Sequence, residues 1–137
     1  IQVHSAVKLC KAVLPAMSKA KFGRVLFIQT SYTIGCPPKN TAAYVMNKSA
    51  IGGLVKSLAV EYARFGITVN CVAPSMMETH FLKDTPDLIV QAAAADNPMG
   101  RSATPEAVAP AMAFLLGEEA RFITGVTLPV TGGSAIV

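Results

Sequence analysis

The stretch that decides the fold runs from residue 23 to residue 73: GRVLFIQTSYTIGCPPKNTAAYVMNKSAIGGLVKSLAVEYARFGITVNCVA. Its opening, RVLFIQT (24–30), is a short β-branched and aromatic run, the composition of a buried strand. Its end, ITVNCVA (67–73), reads the same way and is stopped by Pro74. Between them lie a loop punctuated by Gly35 and Pro37-Pro38, then a helical stretch over 41–65. Thr41 stands at the cap position of that helix, and Gly66 breaks it before the second strand. A strand, a helix and a second strand at this spacing imply a right-handed crossover between parallel neighbours.

The alternation continues on both sides. Upstream, HSAVKLCKAVLPAMSKA (4–20) sets Ala6, Leu9, Val13, Ala16 and Met17 at helical spacing, with Lys8, Lys11 and Lys19 polar. Pro15 inside it implies a bend or a local break. Downstream, 75–103 is irregular except for a helix around 87–95. Thr104-Pro105-Glu106 then opens a helix to about Leu116, with Thr as cap, Pro in the first turn and an acid at the positive end of the dipole. A third strand covers 124–130, and Gly132-Gly133 turns the chain. The prediction is an α/β fold with three parallel strands and flanking helices. Such a sheet is normally covered on both faces. RVLFIQT is apolar enough for an inner strand, yet nothing upstream can pair with one of its sides. The 137 residues therefore read as a single partial domain, the second half of a larger α/β unit.

Composition narrows the function classes. The chain is 52% hydrophobic and 15% charged, with a mean hydropathy of +0.46, which excludes disorder. The longest nearly apolar stretch, 107–117, is far short of the roughly 20 residues that span a bilayer, so no membrane segment is expected. No signal-peptide pattern is visible after Ile1. Cys10, Cys36 and Cys71 are widely separated and form no C-x-x-C pair, which reads as reduced thiols in a cytoplasmic protein. Residues 1–64 carry nine Lys/Arg against one acid, and residues 65–137 three against seven. The basic residues are dispersed, with no run and no interleaved aromatics. They read as solvated helix faces, not as a nucleic-acid surface.

Chemistry is concentrated between Ser31 and Lys48. Tyr44 and Lys48 are four apart on one helix, so both side chains share a face, one turn apart. An ammonium beside a phenol favours the phenolate. Such a tyrosine can give a proton to a carbonyl oxygen or take one from an alcohol. A hydroxyl from Ser31, on the loop after a strand, can hold that oxygen. A lone Y-x-x-x-K also arises by chance on solvated helices, so its surroundings decide. His4 and His80 are isolated, Cys36 lacks a basic neighbour, Cys71 lies in an apolar strand, and Asn70 suits a structural hydrogen-bonding role. Met76 and Met77 suit either a pocket wall or core packing.

Four blocks agree in order and spacing with one family: GRVLFIQTS, AAYVMNKSAIGGLVKSLAVEYA, GITVNCVAPSMMET, and PMGRSATPEAVAPAMAFLLGEEARFITGVTLPVTGG. The sequence resembles the short-chain dehydrogenase/reductase family, nearest to its β-ketoacyl-acyl-carrier-protein reductase-like members. The resemblance implies the C-terminal half of a seven-stranded, doubly wound, Rossmann-type domain that binds NAD or NADP. It implies Tyr44 as catalytic acid/base, Lys48 as holder of the nicotinamide ribose hydroxyls, and Ser31 as binder of the substrate oxygen. Pro74, Met77 and Thr79 would contact the nicotinamide amide, and 78–103 would form the variable substrate lid. It further implies a small-molecule or acyl-carrier-bound carbonyl substrate, and a homo-oligomer (dimer or tetramer) paired through the two long helices. A non-catalytic interaction module is the alternative.

Three departures stand out. The glycine-rich dinucleotide loop belongs to a strand–turn–helix that precedes this stretch in the family. The position where many members carry a catalytic Asn falls on Gln2, and the usual Gly after Pro74 is Ser75. The serine itself has two readings: counting back from Tyr44 reaches Ser31, whereas counting forward from Gly23-Arg24 reaches Thr30. Ser31 is preferred because loop length to Tyr44 sets the geometry; Thr30 is the alternative.

Overall fold

The computed structural model describes residues 2–136, save the side chain of Phe81. Its elements are α1 (Gln2–Ala20), β1 (Gly23–Ile28), α2 (Ala42–Tyr62), β2 (Ile67–Pro74), α3 (Asp87–Ala95), α4 (Pro105–Leu116) and β3 (Thr127–Val130). The three strands form one parallel sheet in the order β1-β2-β3. Gly23 pairs with Ile67 and Ile28 with Val72, while Cys71 pairs with Thr127 and Pro74 with Val130. Among the described residues, β1 has no strand partner on its other side.

β2 lies at the centre, and every one of its residues is buried. Strand side chains alternate between faces, so one strand serves two cores. Ile67, Val69 and Cys71 pack with Ala6, Cys10 and Leu14 of α1 and Ile51, Val55 and Leu58 of α2. Val72 packs on the other side with Val108 and Leu115 of α4 and Ala120. Asn70 is the polar member: its Nδ2 donates to Ile123 O (2.7 Å) and its Oδ1 accepts from Val126 N (3.2 Å). It thereby ties β2 to the segment that leads into β3.

Local chemistry explains where the elements stop. β1 ends at Ile28, short of Thr30, because Thr30 turns away to head a 3-10 turn over Ser31–Thr33. β3 starts at Thr127 although pairing begins earlier, with Gly125 N on Val69 O (2.8 Å) and Cys71 N on Val126 O (2.9 Å). The break lies at Gly125, whose φ is +79°. Thr104 caps α4 as expected, accepting from Ala107 N. Thr41 does not cap α2; its hydroxyl donates to Pro38 O at 2.7 Å, within the preceding loop. Pro15 sits inside α1 without splitting it into two elements. Gly66 is required twice over: its φ is +71°, and a Cβ there would lie 2.5 Å from Lys21 O.

Among the described residues, no helix is long and apolar enough to cross a membrane. No cluster of three or more His, Cys, Asp or Glu suited to a metal is found among them.

Candidate active site

Parallel sheets place ligands beyond the carboxyl ends of their strands. Here β1 delivers Gln29 and Thr30 to that end, β2 delivers Pro74, and α2 starts above it. A cavity of about 470 Å³ opens there, lined by Thr30, Tyr44, Lys48, Pro74, Met77 and Thr79. Gln2, Ile28, Tyr32, Ser75, Met76 and Leu82 complete much of its wall. Five of the six residues expected at the site, Tyr44, Lys48, Pro74, Met77 and Thr79, therefore share one cavity. Gln2, at the position of the family's Asn, shares it too.

Ser31 does not line this cavity. It lines a neighbouring one of about 270 Å³, together with Gly35, Cys36, Asp96, Asn97 and Ser102. Thr30 takes the place on the Tyr44 wall. The physical reason is register: β1 is locked to β2 residue by residue from Gly23 onward, so the count from Gly23 fixes which side chain reaches the strand end. Thr30 Oγ1 also accepts from Tyr32 N at 3.4 Å, a long contact that leaves the hydroxyl proton free.

Lys48 is half-buried at the cavity wall. Its Nζ donates to Ile28 O (2.9 Å) and lies 5.8 Å from the centre of the Tyr44 ring. Burial pushes its pKa below the ordinary lysine value, partly countered by its interaction with Cys71. An ammonium has three donors, so two remain beyond the bond to Ile28.

Two residues that sequence reasoning passed over shape the site. Gln29 is buried; its Nε2 donates to Lys48 O (3.0 Å), and its Oε1 accepts from Thr127 Oγ1 (3.0 Å). It braces the backbone of the Lys48 turn against β3. Gly52 leaves room for it, since a Cβ there would come within 2.7 Å of Gln29 Nε2. Tyr32 lies edge-on to Tyr44, with ring centres 6.4 Å apart at 74°. It lines both cavities. Burial raises its pKa above the ordinary phenol value, with a further rise from Tyr44. A Gly-Gly pair one turn beyond Lys48 was the available signal for Gln29. For Tyr32 it was the tyrosine two residues after Thr30. Met76 and Met77 serve both of their expected purposes, since both line the cavity and Met77 also packs on the α4-side core. Cys71 is fully buried and Cys36 is exposed.

The fold is thus a parallel sheet wrapped by helices, with a tyrosine and a lysine one turn apart on a cavity at its carboxyl end. The family model described as enoyl-(acyl carrier protein) reductase matches residues 1–135. The chain belongs to this family, a branch of the short-chain dehydrogenases/reductases. It is 40% identical over 134 residues to the 3-oxoacyl-(acyl-carrier-protein) reductase FabG of Vibrio cholerae, covering 97% of this chain and 54% of that protein. It is 34% identical over 144 residues to oxidoreductase UcpA of Salmonella typhimurium, covering 99% and 55%. The TT0495 protein of Thermus thermophilus superposes with a TM-score of 0.82 at 40% identity, over 92% of this chain and 54% of that one. A gluconate 5-dehydrogenase of Burkholderia cenocepacia, solved with NADP and tartrate, gives 0.85 at 27% identity over 93% and 51%. The chain thus spans about half the length of the relatives it matches.

Proposed function

We propose that this chain is the catalytic and substrate-binding part of an NAD(P)-dependent oxidoreductase that interconverts a carbonyl and an alcohol. The observation that carries the reading is the meeting of Tyr44, Lys48 and Thr30 on one cavity at the carboxyl end of the sheet. The relatives named as 3-oxoacyl-(acyl-carrier-protein) reductases support the reaction class. The donor set suits a nicotinamide riboside: two spare ammonium donors on Lys48 for a ribose diol, and Pro74, Met77 and Leu82 as apolar wall for a flat ring. Pro74, Met77, Thr79, Tyr44 and Lys48 are the residues that would hold it. When bound, the cofactor supplies or accepts the hydride.

The chain's own residues manage the proton and the oxygen. In the reducing direction, Tyr44 Oη gives its proton to the substrate oxygen, and the Thr30 hydroxyl donates a hydrogen bond to that same oxygen. Lys48, whose Nζ lies 5.8 Å from the centre of the Tyr44 ring, offsets the negative charge left on the phenol. Gln29 keeps the Lys48 turn in place. In the oxidising direction the same groups act in reverse.

The test uses the chain completed with the N-terminal half of the 40%-identical Vibrio cholerae reductase. Oxidation of NADPH or NADH by a ketone panel is expected in the completed protein. Tyr44→Phe is expected to lower turnover by about 10²- to 10⁴-fold while nucleotide binding, read by fluorescence, is retained. Turnover that survives Tyr44→Phe, or a completed protein that binds no nucleotide, would overturn the reading. A second reading, a non-catalytic module that acts by self-association, rests on one observation. Leu9 on α1 and Met46 and Val60 on α2 are 65%, 66% and 83% exposed on the outer faces of the two long helices. In the oligomeric enzyme that we propose, those faces meet a second copy.

A further inference from the structure

Two glycines stand side by side in the interior of α2, Gly52 and Gly53, where each weakens a helix relative to alanine. Their surroundings differ. A Cβ on Gly53 would meet nothing within 4 Å, whereas a Cβ on Gly52 would lie 2.7 Å from Gln29 Nε2. Neither glycine has a positive φ, so backbone conformation does not account for Gly52. What accounts for it is the carbonyl it uncovers. In an α-helix the N–H of residue i+4 bonds the carbonyl of residue i, and each Cα–Cβ bond tilts toward the N-terminus. A side chain at 52 would therefore reach back beside Lys48 O. With glycine there, that carbonyl takes a donor from outside the helix, Gln29 Nε2 at 3.0 Å.

The donor is itself fixed. Gln29 is buried, and its Oε1 accepts from Thr127 Oγ1 of β3 at 3.0 Å, which leaves the amide nitrogen directed at α2. The residue before it holds the other end of the same lysine, since Lys48 Nζ donates to Ile28 O at 2.9 Å. Lys48 is thus gripped at its backbone and at its ammonium by two consecutive residues at the end of β1. A lysine side chain is rich in rotamers; here its root and its tip are both referred to one strand. That double grip sets how far the ammonium stands from the Tyr44 ring, 5.8 Å from its centre.

We infer that Gly52 and Gln29 form an interlocked pair that positions the Lys48 ammonium for the proton transfer at Tyr44, so that Gly52, which lines neither cavity, governs turnover. This rests on the oxidoreductase reading given above, and it adds a positioning pair to that site.

The completed protein is assayed with 2-hexanone in the reducing direction and 2-hexanol in the oxidising one, beside Gly52→Ala, Gly53→Ala, Gln29→Met and the double variant of Gly52→Ala with Gln29→Met. Gly53→Ala is expected to raise Tm by about 2–4 °C and to keep kcat within about twofold. Gly52→Ala gains the same helix preference but pushes the flexible Gln29 amide off Lys48 O. Its Tm should stay within about 4 °C of the parent while kcat falls about tenfold. Gln29→Met should give a similar fall, and the double variant should be no slower than Gln29→Met alone, because both changes break one contact. The kcat–pH profile for 2-hexanol oxidation separates positioning from mere support. The titrating groups around Lys48 are Tyr44 and Tyr32 on the cavity wall and the Cys71 thiol behind it; among the described residues that line the cavity, none is acidic. A displaced ammonium supports a phenolate less, so the midpoint should move up by about half a pH unit in Gly52→Ala. A structural defect would lower kcat at every pH and leave the midpoint alone. Parental kcat in Gly52→Ala, additive losses in the double variant, or an unmoved midpoint would overturn the inference while Tyr44-dependent turnover stands. Absence of turnover or nucleotide binding in the completed parent would bring down both readings.

Discussion

Replacing Thr30 by valine removes one hydroxyl and nearly nothing else. Valine keeps the branched shape, and Thr30 is 6% exposed, so packing is preserved. Among the described residues, the hydrogen bond of the lost hydroxyl is the 3.4 Å one from Tyr32 N, at the weak end of the range. Its loss should cost less than about 1 kcal/mol of stability. The effect on catalysis should be far larger. A donor aimed at the oxygen where charge develops contributes about 2.7–4 kcal/mol, or 10²- to 10³-fold in kcat. Thr30→Val in the completed protein should therefore lose about 10²- to 10³-fold in kcat on 2-hexanone, while its urea midpoint barely moves. Thr30→Ser should restore most of that loss. Ser31→Ala should stay within about twofold of the parent on the same ketone, because its hydroxyl lines the other cavity. Steady-state kinetics with urea melts on the four proteins decide the matter. A hundredfold loss in kcat for Ser31→Ala with a mild Thr30→Val would refute the register argument. Loop length to Tyr44 would then set the geometry instead.

Other consequences are cheaper to check. Gly66→Ala forces a side chain into φ +71° and brings its Cβ to 2.5 Å from Lys21 O; urea unfolding should show a loss of about 2–4 kcal/mol. Asn70→Leu leaves Ile123 O and Val126 N without their partner, and a loss of about 2–4 kcal/mol is expected, with the end of the sheet at β3 losing amide-exchange protection first. Burial pushes the Cys71 thiol from 9.0 up to about 11, against smaller opposite effects of Gln29 and Lys48. Below pH 9 folded and unfolded thiols are both protonated; above it the unfolded thiol ionises first, so stability should fall from pH 9 to about 11 by up to about 2–3 kcal/mol. Cys71→Ala should flatten most of that slope in a pH series of melts. Cys36 is exposed while Cys10 and Cys71 are buried, so one thiol should react quickly with a disulfide reagent in the native protein and three in denaturant; fast reaction of all three would contradict the packing of β2 against α1.

The sequence alone determined the order of elements, the parallel sheet and the helix that carries Tyr44 and Lys48. These follow from periodicity, from glycine and proline punctuation, and from a four-residue spacing, all properties of neighbours along the chain. Pro74, Met77 and Thr79 were reached through the family resemblance, and they line the cavity that Tyr44 and Lys48 share. Only the tertiary structure puts Thr30 on the cavity that Tyr44 lines and Ser31 on its neighbour. The pairing of β1 with β2 from Gly23 to Ile28 fixes which residues follow the strand end, and that pairing is a long-range contact. Gln29 and Tyr32 were hidden for the same reason. Their roles arise from contacts with Lys48, Thr127 and Tyr44, brought together by packing across the sheet and not by any local pattern.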